Sequence, residues 1–183
     1  NAWYPGEQGG TAVADVLFGD YNPAGRLPLT YYKSLDELPA FDDYDITKGR
    51  TYKYFKGDVL YPFGYGLSYS SFKYSDLKVK DGANTVSVSF RLKNTGKRKG
   101  DEVAQVYVRI PETGGVVPIK ELKGFRRIPL KSGESRVVEI ELDKEQLRYW
   151  DAGLGQFIVP QGAFDIMVGA SSKDIRLQTV INL

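Results

Sequence analysis

The sequence predicts a mainly β protein in which an antiparallel β-sandwich, residues 73–183, follows a shorter segment of helix and loop character. Three observations support this prediction. Apolar and polar residues alternate with a period of two over most of the chain beyond residue 73, as in strands with one buried face. Turn-forming residues separate these runs at short intervals. No stretch between the runs is long enough for a crossover helix, so the strands should pair antiparallel.

The first 48 residues indicate one helix and a loop-rich return. Residues 9–18 have helical periodicity, and Gly19 is well suited to end the helix. The apolar residues of this helix share one face: Ala12, Val13, Val16 and Leu17. Asn22-Pro23 then starts a loop that leads into the apolar run 27–32. That run has the character of a strand, but no partner for it is evident nearby in the sequence.

Two acidic features of this part invite a functional interpretation. Glu7 precedes the helix and has the chemistry of a catalytic acid, but the helix dipole also favours a carboxylate there, which is the simpler explanation. Five acids accumulate between residues 34 and 48: Asp36, Glu37, Asp42, Asp43 and Asp45. Their oxygens are of the kind that calcium prefers. Because the regular spacing of a calcium loop is missing, a solvated loop is favoured over a metal site.

Residues 49–72, here called the strap, connect the two parts. Residues 49–55 have an extended pattern with Tyr52 and Tyr54 on one side, which predicts a strand or an ordered connection. The stretch 60–72 contains five aromatic residues and two glycines. Its rings are suited to stacking on sugars, but burial between two domains is the commoner use of aromatic area and is favoured here. Gly64 and Gly66 would let the backbone run close to a second surface.

The sandwich segment divides into about seven short strands. Most of these place their apolar residues on one face. The strand signals are Val86, Val88, Phe90 and Leu92; Ala104, Val106, Val108 and Ile110; Val138, Ile140 and Leu142; residues 157–159; Phe164, Ile166 and Val168; and Ile175, Leu177, Thr179 and Ile181. Residues 119–130 are interpreted as a further strand pair interrupted by Gly124. Asp143 is placed to cap a short helical turn over residues 144–148.

Composition excludes several kinds of chemistry. Without cysteine the chain has no disulfide, thiol nucleophile or thiolate ligand, and without histidine it has no Ser-His-Asp or Cys-His arrangement. Its 25 basic and 23 acidic residues nearly balance, which gives no indication of nucleic acid or membrane binding. No apolar run approaches the roughly 20 residues of a membrane span. The sequence opens at Asn1 without a methionine, as expected of a fragment or a processed product.

A series of motifs runs through the whole chain in a fixed order. They lie at residues 3–10, 15–28, 61–69, 94–96, 102–108, 121–125 and 162–172. The first three resemble the C-terminal part of family 3 glycoside hydrolases, the β-glucosidase and β-xylosidase group. The last four look like the fibronectin type III-like domain that many of these enzymes carry at their C-terminus.

The resemblance implies a (β/α)₈ barrel, then an α/β sandwich domain, then the fibronectin-like domain. Residues 1–48 would be the C-terminal end of the α/β sandwich, 49–72 an aromatic linker strap, and 73–183 the fibronectin type III-like β-sandwich. The family's retaining mechanism uses an Asp on the barrel and a Glu that is usually on the α/β sandwich. Neither has a counterpart in this sequence, so the resemblance implies no catalytic residue here. Glu7 matches a family motif that is not the catalytic one.

The resemblance therefore implies the C-terminal portion of a retaining β-glycosidase, a β-glucosidase or β-xylosidase. Its partners would be the N-terminal barrel and α/β portion of the same enzyme and a β-linked glycoside. No metal or organic cofactor is implied. Trp3 and Tyr4 are the candidates to approach the sugar site, and the parent enzyme is expected to be periplasmic or secreted. The alternative is a non-catalytic carbohydrate-binding or scaffold module, but such a module would not need an unfinished α/β segment.

Overall fold

A computed structural model describes residues 1–183 of the chain. It contains two α-helices, α1 (Gly9–Phe18) and α2 (Thr51–Tyr54), and two 3₁₀ turns, Ile46–Lys48 and Lys144–Leu147. None of its helices has the length and apolar character needed to span a membrane.

Eleven strands make up the rest of the ordered structure. They are β1 (Tyr31–Tyr32), β2 (Val59–Tyr61), β3 (Phe72–Asp81), β4 (Thr85–Asn94), β5 (Gly100–Arg109), β6 (Glu121–Leu130), β7 (Ser135–Asp143), β8 (Tyr149–Asp151), β9 (Gln156–Ile158), β10 (Ala163–Gly169) and β11 (Ile175–Asn182).

Seven of the strands form the predicted antiparallel sandwich. One sheet has the order β11-β10-β5-β6 and the other β3-β4-β7, and β8 and β9 form a separate hairpin. Their inner faces enclose a core cluster of 18 buried residues. The alternating apolar residues of β4, β5, β7 and β10 supply most of it, as their period of two predicts. The Asp143 side chain accepts a hydrogen bond from the Glu145 N–H and caps the 3₁₀ turn as expected.

Two local predictions were wrong. Residues 51–54 form one turn of helix instead of an extended run, because the Phe55 N–H bonds to the Thr51 carbonyl and tertiary contacts hold the turn in place. Residues 121–130 form one strand instead of a strand pair. Gly124 does not break β6, because it lies where a β-carbon would collide with Ile140 and Leu142 of the opposite sheet. It is a point of close approach between the sheets.

The apolar run 27–32 does have a partner, which lies in the strap. Strand β1 pairs antiparallel with β2. Further along, the Leu27 N–H donates to the Tyr65 carbonyl and the Gly64 N–H donates to the Leu27 carbonyl, both at 2.8 Å. Sequence proximity could not reveal this pairing, since more than 20 residues separate the two segments.

The strap packs on the outer face of the four-stranded sheet. Tyr107 lies on that face, opposite the core residues Val106 and Val108, yet it is fully buried. The ring of Tyr52 stacks on Phe63 with centroids 4.2 Å apart and meets Tyr107 edge-on at 5.9 Å. Phe63 of the aromatic stretch thus packs in a contact between the strap and the sandwich, whereas Tyr61 and Tyr69 of the same stretch are exposed.

Gln105 joins the strap to the sheet. Its side-chain amide donates to the Gly64 carbonyl at 3.1 Å and to the Ala170 carbonyl at 2.6 Å, and its oxygen accepts from the Tyr107 hydroxyl at 2.6 Å. The Ser172 N–H also donates to the Phe63 carbonyl at 2.9 Å. Since Gln105 is only 2% exposed, these bonds satisfy a polar group that water cannot reach.

We predict that Gly64→Ala destabilises the chain more than Gly133→Ala. Both glycines have a positive φ, which costs an alanine about 1 kcal/mol. Gly133 is surrounded by open space, whereas a β-carbon on Gly64 would collide with Gln105 and Tyr107. Gly64→Ala should therefore lower the free energy of unfolding by at least about 2 kcal/mol, measured by urea denaturation. Equal losses in the two variants would show that the strap is not packed against Gln105.

Candidate functional site

An open cleft of about 820 Å³ lies beside α1. The loop after α1 forms one side of the cleft. Strand β1 and the part of the strap that contains β2 form the other side. Its lining is mostly apolar and aromatic: Asn1, Trp3, Val16, Tyr21, Pro23, Ala24, Gly25, Arg26, Leu27, Tyr31, Tyr61, Tyr65, Gly66 and Leu67. No aspartate or glutamate is among these residues.

Three tyrosines form an aromatic wall in this cleft. The ring of Tyr61 meets Tyr31 edge-on at 6.2 Å and lies 5.2 Å from Tyr65 at a tilt of 37°. The pairing of β1 with β2 sets Tyr31 opposite Tyr61. The wall is thus positioned by backbone hydrogen bonds and presents apolar area with hydroxyl groups at its rim.

The structure separates the two predicted sugar-proximal residues. Trp3 lines the cleft, about half exposed, with a left-handed backbone at φ 50°. The backbone N–H of Trp3 donates to the Asn1 side-chain oxygen at 2.9 Å. The side-chain amide of Asn1 in turn donates to the Tyr31 hydroxyl, also at 2.9 Å. Tyr4 is fully exposed and does not line the cleft. Of these two residues, only Trp3 therefore lines the cleft.

Arg26 lies at the base of the cleft and connects it to the sandwich. It donates to the carbonyls of Ala24 and Gly25, both at 3.1 Å, and forms an ion pair of 3.2 Å with Glu102 of β5. The other oxygen of Glu102 accepts from the Tyr74 hydroxyl at 2.9 Å. Burial, with a further contribution from the Glu102 carboxylate, raises the pKa of Tyr74, so this hydroxyl stays protonated and donates.

Sequence reasoning missed this buried triad of Arg26, Glu102 and Tyr74, although one signal was available. Glu102 shares the inward face of β5 with Ala104, Val106 and Val108. A carboxylate at an inward position must find a positive or hydrogen-bonding partner, because burying it alone is very costly. The alternation along β5 thus predicts the need for a partner, while only the three-dimensional structure identifies it as Arg26.

The other carboxylates considered from the sequence occupy simpler environments. Glu7 is exposed just before α1. Asp45 caps the first 3₁₀ turn by accepting from Thr47, and Asp43 forms an ion pair of 2.7 Å with Lys48. The hydrogen bond from Lys48, together with one from the Asp45 backbone, lowers the pKa of Asp43. No group of three or more acidic side chains in the chain has the geometry to hold a metal ion.

The part before the sandwich exposes an unusual amount of apolar area. None of the residues of α1 is buried, and this includes its predicted apolar face. The apolar side chains of this part with the highest exposed fraction are Tyr4, Leu17, Phe18, Leu35, Phe41, Tyr44, Leu60 and Leu67. Area of this extent is typical of a surface that another body covers.

The fold and the cleft can be compared with known proteins. Residues 1–69 match the glycosyl hydrolase family 3 C-terminal domain, and residues 102–172 match the fibronectin type III-like domain. A xylan 1,4-beta-xylosidase of Xylanibacter ruminicola is 46% identical, with 98% of this chain and 21% of the relative covered. A periplasmic beta-glucosidase of Salmonella typhimurium is 38% identical, with 95% and 25% covered.

Solved structures give the same result. A GH3 beta-glucosidase of Bifidobacterium adolescentis superposes with a TM-score of 0.92 at 34% identity, covering 100% of this chain and 29% of that one. Beta-glucosidase 3B of Thermotoga neapolitana, in complex with glucose, has a TM-score of 0.89 at 36% identity, with 97% and 27% covered. The chain thus spans about a quarter of the length of these relatives.

Two adjoining parts therefore define the class of this protein: the end of an α/β sandwich domain and a fibronectin type III-like β-sandwich. The chain belongs to the family 3 glycoside hydrolases, and it corresponds to their C-terminal part.

We predict that Arg26→Met is strongly destabilising, because it leaves the buried Glu102 carboxylate without its cation. The side chains of Arg26 and Glu102 are 11% and 5% exposed, so the loss should be about 3–5 kcal/mol of unfolding free energy. The exposed pair of Arg136 and Glu134 is the matched control, and Arg136→Met should cost less than about 1 kcal/mol. The double variant Arg26→Met/Glu102→Gln should recover part of the loss, which urea denaturation would measure. Additive losses would contradict the coupling.

We also predict an alkaline loss of stability that depends on Tyr74. Burial raises its pKa above the ordinary value of 10.0, so its contribution is complete below pH 10 and declines as the pH rises further. The unfolding free energy should fall between pH 10 and pH 11.5, and the fall should be smaller in Tyr74→Phe, by up to about 1.4 kcal/mol for each pH unit above 10. Tyr4→Phe, at a fully exposed ring, is the control. Identical pH profiles for Tyr74→Phe and the wild type would contradict the buried environment.

Proposed function

We propose that this chain is the C-terminal portion of a retaining β-glycosidase, a β-glucosidase or β-xylosidase, and that it supports the active-site domains structurally. The observation that carries the proposal is the match along nearly the whole chain to proteins of those two activities. It is supported by two domain models that match successive parts of the chain, the glycosyl hydrolase family 3 C-terminal domain at 1–69 and the fibronectin type III-like domain at 102–172.

Catalysis itself is proposed to reside outside these 183 residues. A retaining mechanism needs two carboxylates about 5 Å apart across the scissile bond. The cleft has no carboxylate in its lining, and Glu102 is occupied by Arg26 and Tyr74. The role left to this chain is to shape and stabilise the neighbouring active-site domains.

The proposed partner is the N-terminal barrel and α/β portion of the same enzyme, and the proposed substrate is a β-linked glycoside. The exposed apolar face of α1 supports this partner, because in an α/β domain such a face packs on a sheet. We further propose a periplasmic or secreted location, since one relative is a periplasmic beta-glucosidase.

We propose the division into 1–48 as the end of the α/β domain, 49–72 as the strap and 73–183 as the sandwich. The start of β3 at Phe72 and the contacts of the strap with β5 support it. We also propose that Trp3, and more weakly Tyr4, approach the sugar site. The place of Trp3 in the aromatic cleft supports its role, whereas the full exposure of Tyr4 leaves it free for a neighbouring domain.

The test measures hydrolysis of chromogenic β-glucosides and β-xylosides by the chain alone and together with the upstream portion of the enzyme. We expect no turnover by the chain alone and turnover by the assembly, because the reacting carboxylates would lie upstream. Activity of the purified chain that disappears in Glu7→Gln would overturn the proposal.

The assembled enzyme also tests Trp3. Trp3→Ala should weaken substrate use about two- to ten-fold in kcat/KM, as expected for the loss of one aromatic contact. Trp150→Ala is the matched control, because Trp150 is about as exposed but lies on the β8–β9 hairpin of the sandwich. Equal effects of the two variants would remove Trp3 from the sugar site.

A further inference from the structure

A second cavity lies between the strap and the sandwich, apart from the aromatic cleft. Its volume is about 230 Å³. Residues of the strap, together with Thr30 just before β1, form one wall, and the residues that precede β6 and follow β10 form the other. Three lysines line it, Lys56, Lys120 and Lys173, and no aspartate or glutamate does.

The three lysines of this cavity form no ion pair with a carboxylate, a condition that they share with seven other lysines of the chain. Five lysines elsewhere form ion pairs with carboxylates: Lys33, Lys48, Lys53, Lys123 and Lys144. Lys56, Lys120 and Lys173 form none. The cavity thus concentrates positive charge that the protein does not neutralise.

Lys120 is the central group of this cluster. It is half-buried, and its ammonium group donates to the Ser172 carbonyl at 2.9 Å. An ammonium group has three donors, so two remain for another acceptor. Burial lowers the pKa of Lys120, and the charge of Lys173 lowers it further.

A neutral donor in the same wall is also unsatisfied. The Thr30 hydroxyl is shielded from solvent by the surrounding protein and has no hydrogen-bond partner. Only one other side-chain atom of the chain, Nε of Arg26, shares that condition. A buried hydroxyl without a partner is costly, and this one belongs to a residue of the wall that the lysines also line.

We propose that this cavity binds a small oxyanion, a phosphate or sulfate group, between Lys56, Lys120 and Lys173. Such an anion accepts several hydrogen bonds at once, and ammonium donors to it are the strong, charge-assisted kind. Because its ligands come from both the strap and the sandwich, the bound anion stabilises their contact. The same chemistry could come from free phosphate or from the phosphate group of a sugar phosphate.

The experiment titrates the full 183-residue chain with inorganic phosphate, sulfate and glucose 6-phosphate by calorimetry, with ionic strength held constant by chloride. We expect saturable one-site binding of phosphate and sulfate in the millimolar range. Lys120→Met and Lys173→Met should each weaken it at least about ten-fold, as expected for the loss of one charge-assisted hydrogen bond. Lys97→Met, at an exposed lysine of the β4–β5 turn, should leave binding unchanged.

Two comparisons make the result decisive. Tighter binding of glucose 6-phosphate than of phosphate would assign the site to a phosphorylated sugar, and equal binding would assign it to the free anion; both support the proposal. Absence of saturable binding, or equal binding by the wild type and both lysine variants, would overturn it. If Lys120→Met does not fold by circular dichroism, the exposed Lys173 supplies the deciding variant.

Discussion

The structure depends on the burial of the outer face of the four-stranded sheet beneath the strap. In a free-standing sandwich that face would be open to water, and its residues would be polar. Here Tyr107 and Gln105 are almost fully buried on it. The Gln105 amide can be buried because the Gly64 and Ala170 carbonyls and the Tyr107 hydroxyl satisfy it. The strap is thus a structural part of the sandwich, and a linker that merely connected two domains would not need these bonds.

The sequence alone allowed most of the sandwich to be predicted. A strand with one buried face has a period of two. The buried apolar core residues of β4, β5, β7 and β10 all follow that period. The errors fall where tertiary contacts override local pattern. The helical turn at residues 51–54 places Tyr52 on Phe63 and Tyr107, and Gly124 serves close packing of the sheets where a turn was expected.

The candidate site was less accessible to sequence reasoning. The aromatic cleft joins segments that lie up to about 60 residues apart. Within it, hydrogen bonds of the Asn1 side chain link Trp3 to Tyr31. The buried triad of Arg26, Glu102 and Tyr74 brings together three separate parts of the chain. The alternation along β5 was a signal for an inward-facing Glu102 that the sequence analysis did not use, and no local pattern identifies its cation. The same triad links the base of the cleft to the sandwich, so a domain packed into the cleft would rest on the sandwich through Arg26.

The most direct test of this account is amide hydrogen exchange on the full chain. Three amides report on the contact of the strap: those of Leu27, Gly64 and Ser172, which donate to Tyr65, Leu27 and Phe63. If strap and sandwich open as one cooperative unit, these amides exchange with the same free energy of opening as the Val106 amide in the middle of β5. Exchange of the three at the rate of an unstructured peptide, with Val106 still protected, would contradict the account and show that the strap is only loosely attached.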